Sequence, residues 1–184
     1  SLHDALPIYF RFDEITVSVS HTAAIEAWLA AHGQHSEEIR TQVRTQVFND
    51  PDALLKERGL QPVRGRAAEI RDTLDRLPPA LAATLEEIDS LTLAPLQAAF
   101  PQARLRLDLG RLEGLGYYHG ACVRITARDL SGAMLPLTDG GYTRWTQRLL
   151  SDERERLLIT GIGSDLACAR YCETGYHKAR GAKS

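Results

Sequence analysis

The sequence predicts an α+β domain in which a block of helices interrupts an antiparallel sheet. Three observations support this fold class. A stretch near the start alternates apolar and polar residues as a strand does, residues from about 21–100 carry helical spacings, and alternation returns from residue 103. We expect the C-terminal half to supply most of the sheet and the helical block to be an insertion. The predicted domain covers 10–172, with 1–9 as a non-native or disordered start and 173–184 as a flexible tail.

The first predicted strand covers residues 9–20, where alternation runs on either side of Asp13. A helix follows, because apolar residues recur at one-turn spacing and Gly33 suits the C-terminal cap. Its apolar face consists of Ile25, Trp28, Leu29 and His32. Ser36, with two glutamates behind it, opens a second helix that carries Ile39, Val43 and Val47.

Three further helices complete the predicted block. The third has Asp50 as N-cap, Pro51 in its first turn and Gly59 as C-terminal cap. The fourth must stop at Pro78-Pro79, because proline has no backbone N–H to donate. Pro95 is expected to kink or end the fifth. The apolar faces of the last two are Ile70, Leu74 and Leu77, and Leu81, Leu85 and Ile88.

The sequence pattern of the C-terminal half predicts several strands. Residues 103–109 form a half-buried strand, because Leu105, Leu107 and Leu109 share one face. The elements predicted after it are strands at roughly 115–127 and 133–138 joined by a hairpin at "RDLSG", a turn at "DGG", a helix near 142–150, a buried strand in "RLLITGIG" and a last helix from Ser164.

Composition limits the function classes. A chain of 184 residues with 43% apolar content suits one domain, and a net charge of -2 provides no basic field, which makes nucleic-acid binding an unfavoured function. Three cysteines without a secretory leader indicate reduced thiols and a cytoplasmic location. The histidines and cysteines lack metal-ligand spacing, and no apolar run approaches the ~20 residues of a membrane span. No metal site and no membrane association are expected.

Two glycine-rich segments are candidate binding sites. On a strand after Gly116, Tyr118 would share a face with Gly120, Cys122 and Arg124, and the glycines would leave room for a small ligand. The alternative, favoured by the pattern alone, is that the tyrosine fills the core and the glycines mark a bulge. In "LTDGGYTRW", Gly140 and Gly141 would form a turn that aims Tyr142 or Asp139 across the sheet.

A third segment, "TGIGSDL", places two glycines before a helix that Ser164 could cap, an arrangement able to hold an anion. It lacks the phosphate-loop pattern, so tight strand-to-helix packing is the favoured interpretation. No nucleophile elbow is present. Local chemistry therefore favours a binding site over a catalytic centre.

Several segments occur in the order known from one family. "DLGRLEGLGYYHG" resembles the histidine-binding "RGLDYYTG" strand of histidyl-tRNA synthetases, "DGGYTRW" resembles "GGRYDGL", and "TGIGSDLA" resembles the class II motif 3, "GFGIGLERL". "FDEITVSVSHTAAIEAWLAAHG" resembles the strand and helix before the family's helical segment. The resemblance covers roughly 10–170. It implies a partial class II synthetase-like core of a superfamily that also contains the regulatory subunit of ATP phosphoribosyltransferase.

Departures from the synthetase pattern favour the regulatory relative. The first arginine of "RGLDYY" is Glu113 here, its aspartate is Gly116, and the motif 3 arginine is Leu166. Forming an aminoacyl-adenylate develops negative charge, which a carboxylate repels. The resemblance carries the histidine-contacting tyrosine over to Tyr118 and the tyrosine of "GGRYD" to Tyr142. The implied ligand-binding set is Glu113, Gly116, Tyr118, Gly120, Gly140, Gly141 and Tyr142, with no catalytic residue.

The resemblance implies a regulatory subunit that associates with the catalytic ATP phosphoribosyltransferase in histidine biosynthesis. Histidine is its expected effector, no other cofactor is expected, and no ATP site is evident. Motifs 1 and 2, with the main homodimer interface, should precede residue 10, which makes truncation the preferred explanation of the abrupt start. The alternatives are a divergent or truncated histidine–tRNA ligase and an orphan paralogue that binds another small ligand.

Overall fold

The computed structural model describes residues 12–45 and 51–172. Val47, the Asp50 cap, the predicted start at 1–9 and the predicted tail at 173–184 lie outside these residues. The elements, in chain order, are β1 (Asp13–His21), α1 (Thr22–Ala31), α2 (Ser36–Thr45), α3 (Pro51–Glu57), β2 (Arg64–Gly65), α4 (Arg71–Leu74), α5 (Pro79–Ile88), a π-helical turn (Asp89–Leu93), α6 (Ala94–Ala99), β3 (Arg104–Asp108), β4 (Ala121–Arg128), β5 (Met134–Thr143), α7 (Trp145–Leu150), β6 (Leu157–Ile162) and α8 (Ser164–Tyr171).

The strands form one six-stranded sheet in the order β2-β3-β1-β4-β5-β6. All neighbours pair antiparallel except β1 and β3, which run parallel with Val17 opposite Leu105. A parallel pair needs a long crossover connection, and the helical block is that connection. The predicted α+β class and the inserted helices are confirmed, with one parallel pair in a largely antiparallel sheet.

The core lies between the helical block and the sheet. Leu105, Leu107 and Leu109 are at most 4% exposed, as their alternation predicts. They join one buried cluster with the apolar faces of the helices, which includes Ile25, Trp28, Leu29, Ile39, Leu54, Leu55, Leu74 and Leu85. Removing this apolar surface from water is the main force that holds the block on the sheet.

The helix that Pro95 was predicted to kink or end is interrupted before this residue and does not end there. Instead of ending, the chain widens into the π-helical turn and continues as α6, with Pro95 in its first turn. A proline ring has no N–H and clashes with the carbonyl one turn back, so the wider turn before it accommodates the missing bond.

The prediction of a buried final strand is wrong. β6 is an edge strand, and Leu158 and Ile162 are 55% and 63% exposed. On the preceding helix, Leu149 and Leu150 are exposed as well. An apolar run is typical of a strand buried on both faces, but no described element covers this end of the sheet. None of the described helices has the length and apolar content that a membrane crossing demands.

Candidate functional site

The segment between β3 and β4 is a compact loop, and the predicted strand at 115–127 begins only at Ala121. Gly114, Gly116 and Gly120 have φ values of 87°, 82° and 88°, in the left-handed region that strands do not use. The N–H groups of Tyr117 and Tyr118 both donate to the carbonyl of Gly114, at 3.0 and 2.9 Å. The glycines therefore turn the chain and bring the two tyrosines onto the sheet from a loop.

Two glycines accommodate the Tyr118 ring. A Cβ added at Gly114 would lie 2.6 Å from Cδ2 of Tyr118, and one added at Gly141 would lie 2.6 Å from its Cδ1. This arrangement fits the core-filling alternative for these positions. A Cβ added at Gly120 would lie no nearer than 3.8 Å to the His21 ring Nε2, and Gly116 lines a cavity. The open space expected beside Tyr118 therefore lies at Gly116 and Gly120.

The predicted turn at "DGG" is wrong, because Asp139, Gly140 and Gly141 are interior residues of β5. Gly141 pairs with Cys122 on β4, and a Cβ at Gly140 would lie 2.8 Å from the Ile159 carbonyl of β6. The absence of a side chain at these glycines allows close packing between neighbouring strands and against the Tyr118 ring. The helix predicted near 142–150 accordingly begins only at Trp145.

Strand alternation separates the two candidate tyrosines. Asp139 and Gly141 share one face of β5, the face on which Tyr118 packs, and Tyr142 lies on the opposite face. Tyr142 is 40% exposed and lines a cavity with His119 and Gly120. The structure thus brings Asp139, and not Tyr142, to Tyr118.

Four charged side chains form a network beside Tyr118. Oε1 of Glu113 accepts a hydrogen bond from Arg124 Nη1 at 2.5 Å, and Arg124 Nη2 donates to Asp139 Oδ2 at 3.1 Å. Arg111 Nη2 bonds the other Asp139 oxygen. The Arg111 side chain is 2% exposed, and its Cζ lies 5.5 Å from the centroid of the Tyr118 ring, within cation–π range.

The carboxylate at position 113 is paired with a cation. Two guanidinium groups and two carboxylates balance in this network, so Glu113 is a partner of Arg124. Sequence reasoning placed Arg124 near Tyr118 by alternation but missed its ion pairs, and it missed Arg111 altogether. The available signal was two arginines, one glutamate and one aspartate at loop and strand positions that converge.

The environment shifts several pKa values. Burial raises the pKa of the Cys122 thiol, and burial with the nearby Asp139 carboxylate raises the pKa of Tyr118. Burial opposes the charge on Arg124, but Glu113 and Asp139 outweigh it and raise the pKa of that guanidinium. Arg111 Nη1 and Arg124 Nε are buried and have no hydrogen-bond partner among the described residues, which leaves two donors in the network.

Two adjoining cavities open beside this loop. The first, of about 350 Å³, lies between Gly116, Tyr117 and Tyr118 on one side and Trp145 on the other. Tyr117 makes edge contacts with Tyr118 and Trp145, with ring centroids 4.9 and 5.4 Å apart. The second cavity, of about 660 Å³, lies on the Tyr142 side. Both are of a size that suits small ligands.

The segment "TGIGSDL" is a tight strand-to-helix junction. The N-cap position of α8 is Gly163, not the predicted Ser164, and no side chain caps the helix. A Cβ at Gly163 would lie 3.3 Å from Leu166 Cβ, so close packing accounts for this glycine. Among residues 12–45 and 51–172, no three acidic, histidine or cysteine side chains form a group that could hold a metal ion.

Comparison with known proteins gives structural matches only. No protein-family model matches the chain, and no curated protein sequence matches it. An ATP phosphoribosyltransferase regulatory subunit/histidyl-tRNA synthetase from Bacillus halodurans matches with a TM-score of 0.52 and 16% identity, over 86% of this chain and 44% of that one. An ATP phosphoribosyltransferase (HisG:HisZ) complex from Thermotoga maritima matches with a TM-score of 0.49 and 18% identity, over 84% and 54%.

The chain therefore spans about half the length of the solved chains that it matches. At this identity the likeness concerns the fold. The resemblance found in the sequence is confirmed at that level: this chain has the fold of the regulatory subunit/histidyl-tRNA synthetase structure from Bacillus halodurans.

Proposed function

We propose that this chain is a histidyl-tRNA synthetase-like regulatory domain that binds an amino acid, histidine first of all, beside Tyr118. The proposal rests on the four-charge network. A free amino acid carries a carboxylate and an ammonium group, and the network offers both complements. Glu113 and Asp139 have side chains 33% and 38% exposed, able to accept from an ammonium group, and Arg111 and Arg124 have unused donors.

Binding is favoured over catalysis because two of the three nitrogens of each guanidinium already donate to partners, which leaves one donor on each. Stabilising an adenylate needs guanidinium groups that are free to meet developing negative charge. Arg124 bonds two carboxylates and Arg111 bonds one. The associated partner in this proposal is a catalytic ATP phosphoribosyltransferase subunit, as the resemblance and the Bacillus halodurans protein's description suggest. The expected location is the cytoplasm, and no cofactor is required.

The experiment is a calorimetric titration of the chain with histidine, with and without the catalytic transferase subunit. Glu113→Gln should weaken histidine binding about tenfold, the loss of one charge-assisted hydrogen bond. Arg124 keeps Asp139 as a partner, so the fold should survive. Glu87→Gln, an exposed change on α5, is the matched control. Absence of binding heat together with absence of a complex would refute the proposal.

One observation favours a second function, a histidine–tRNA ligase. Arg111 and Arg124 supply cations in the region where the sequence suggested none. A ligand that displaced Asp139 would free them for an adenylate. Histidine-dependent exchange of pyrophosphate into ATP would establish this function and replace the regulatory one.

A further inference from the structure

Three arginines near α7 have no carboxylate partner in the part of the chain that the structure describes. Elsewhere, arginines such as Arg64 and Arg66 bind aspartates. In contrast, Arg156 donates only to two backbone carbonyls, at 2.7 and 2.9 Å, and Arg144 contacts the His119 imidazole at 2.5 Å. The Arg148 side chain has no partner within the described residues. Guanidinium groups left uncompensated together are available to an external anion.

These arginines line the two adjoining cavities, which share His119 and Arg144 and which we call the arginine trough. Four arginines line the trough against two glutamates. One of those glutamates, Glu26, already binds Arg40, which leaves Glu153 as the remaining acidic group. The trough is therefore locally positive in a chain whose formal charge is -2.

The direction in which the pKa of His119 is shifted agrees with this local field. Burial lowers the pKa of His119, and the nearby Arg144 and Arg156 lower it further, whereas Glu26 acts in the opposite direction. The neutral imidazole can accept a hydrogen bond from Arg144 through Nε2.

Two further features mark the trough as a binding surface. Thr143 lines the second cavity and is 3% exposed, yet its Oγ1 has no hydrogen-bond partner among the described residues. A buried unpaired hydroxyl is costly unless a ligand satisfies it. In the first cavity, Tyr117 and Trp145 are 44% and 46% exposed, so aromatic surface lies beside the guanidinium groups.

We propose that the arginine trough binds a phosphate-bearing small ligand, with the phosphate held by guanidinium groups of the trough and an attached ring against Tyr117 and Trp145. The concave shape favours a small molecule over a nucleic-acid backbone, which tracks along an extended groove. The arginines of this site lie outside the Arg111–Asp139 network, although Gly116 and Tyr118 line the trough as well.

The test is titration of the full chain with phenyl phosphate and with inorganic phosphate. Calorimetry measures binding, and the NMR resonances of the His119 imidazole report its protonation. Arg148→Gln and Arg156→Gln should each weaken phenyl phosphate binding about tenfold. Phenyl phosphate should bind more tightly than inorganic phosphate, and either anion should raise the pKa of His119. Arg154→Gln is the matched control, since Arg154 lies in the same segment but lines neither cavity.

Equal weakening by Arg154→Gln, or no binding of either probe up to about 10 mM, would overturn the proposal. Tighter binding of a mixed-sequence RNA oligonucleotide that Arg148→Gln abolishes would replace it with a nucleic-acid site. Histidine binding should be unchanged in all three variants. Failure of the phosphate titration would thus leave the regulatory proposal standing. Failure of the histidine titration would leave the phosphate-site proposal standing.

Discussion

At the scale of single residues, the glycines of the candidate site have separable roles. Gly116 and Gly120 allow a backbone that other residues rarely adopt, whereas Gly141 lies in a regular strand and is small because Tyr118 lies above it. Composition alone does not separate these roles, since each requires the same residue. Only the positions of the neighbouring atoms distinguish them.

Substituting Gly141 tests this packing. A Cβ at Gly141 would lie 2.6 Å from the Tyr118 ring and 2.7 Å from Cys122 Cβ, so Gly141→Ala should destabilise the fold by about 1–3 kcal/mol through overpacking. Gly161→Ala is the control, because nothing lies within 4 Å of its added Cβ. Urea unfolding of both variants measures the difference. Equal stabilities would show that Tyr118 does not occupy the space above Gly141.

At the scale of elements, prediction succeeded where packing and local pattern agree. The leucines of β3 alternate and face the helical block, and α1 carries its apolar residues at one-turn spacing. Prediction failed where glycine permits several conformations. The segments 114–120 and 139–141 are both rich in glycine, yet the first is a loop and the second is the middle of a strand. The difference arises from long-range pairing with β4 and β6, which no local pattern contains.

The contrast between β3 and β6 gives an element-scale prediction. Leu107 is 0% exposed, so Leu107→Ala should cost about 2–5 kcal/mol in the free energy of unfolding. Leu158 on β6 is 55% exposed, so Leu158→Ala should change it by less than about 1 kcal/mol. Chemical denaturation of the two variants provides the measurement. A large loss at Leu158 would indicate that β6 is covered in the folded protein.

At the scale of the whole molecule, two histidines should make stability depend on pH. Burial lowers the pKa of His21, and burial with Arg144 and Arg156 lowers that of His119. The unfolded chain therefore takes up protons below about pH 6.5 that the folded chain resists, and stability should fall as the pH drops through this range. The thermal midpoint measured from pH 7 to pH 5 reports the effect.

His21→Gln should flatten this pH dependence, because it removes one of the two groups that resist protonation. His35→Gln, at an exposed position before α2, is the matched control and should leave the slope as it is. A His21→Gln protein with the original slope would assign the dependence to other groups.

Both strands that pair with β1 are synthesised long after it, which affects how the chain folds during synthesis. Ser18 contacts Arg106, 88 positions later, and the other neighbour of β1 is β4, later still. The ribosome must therefore synthesise the entire crossover connection before β1 can pair with β3 or with β4. Until then the newly synthesised β1 has no strand to pair with. We therefore expect the late pairing of β1 with β3 and β4 to be slow and to limit the folding rate of this protein.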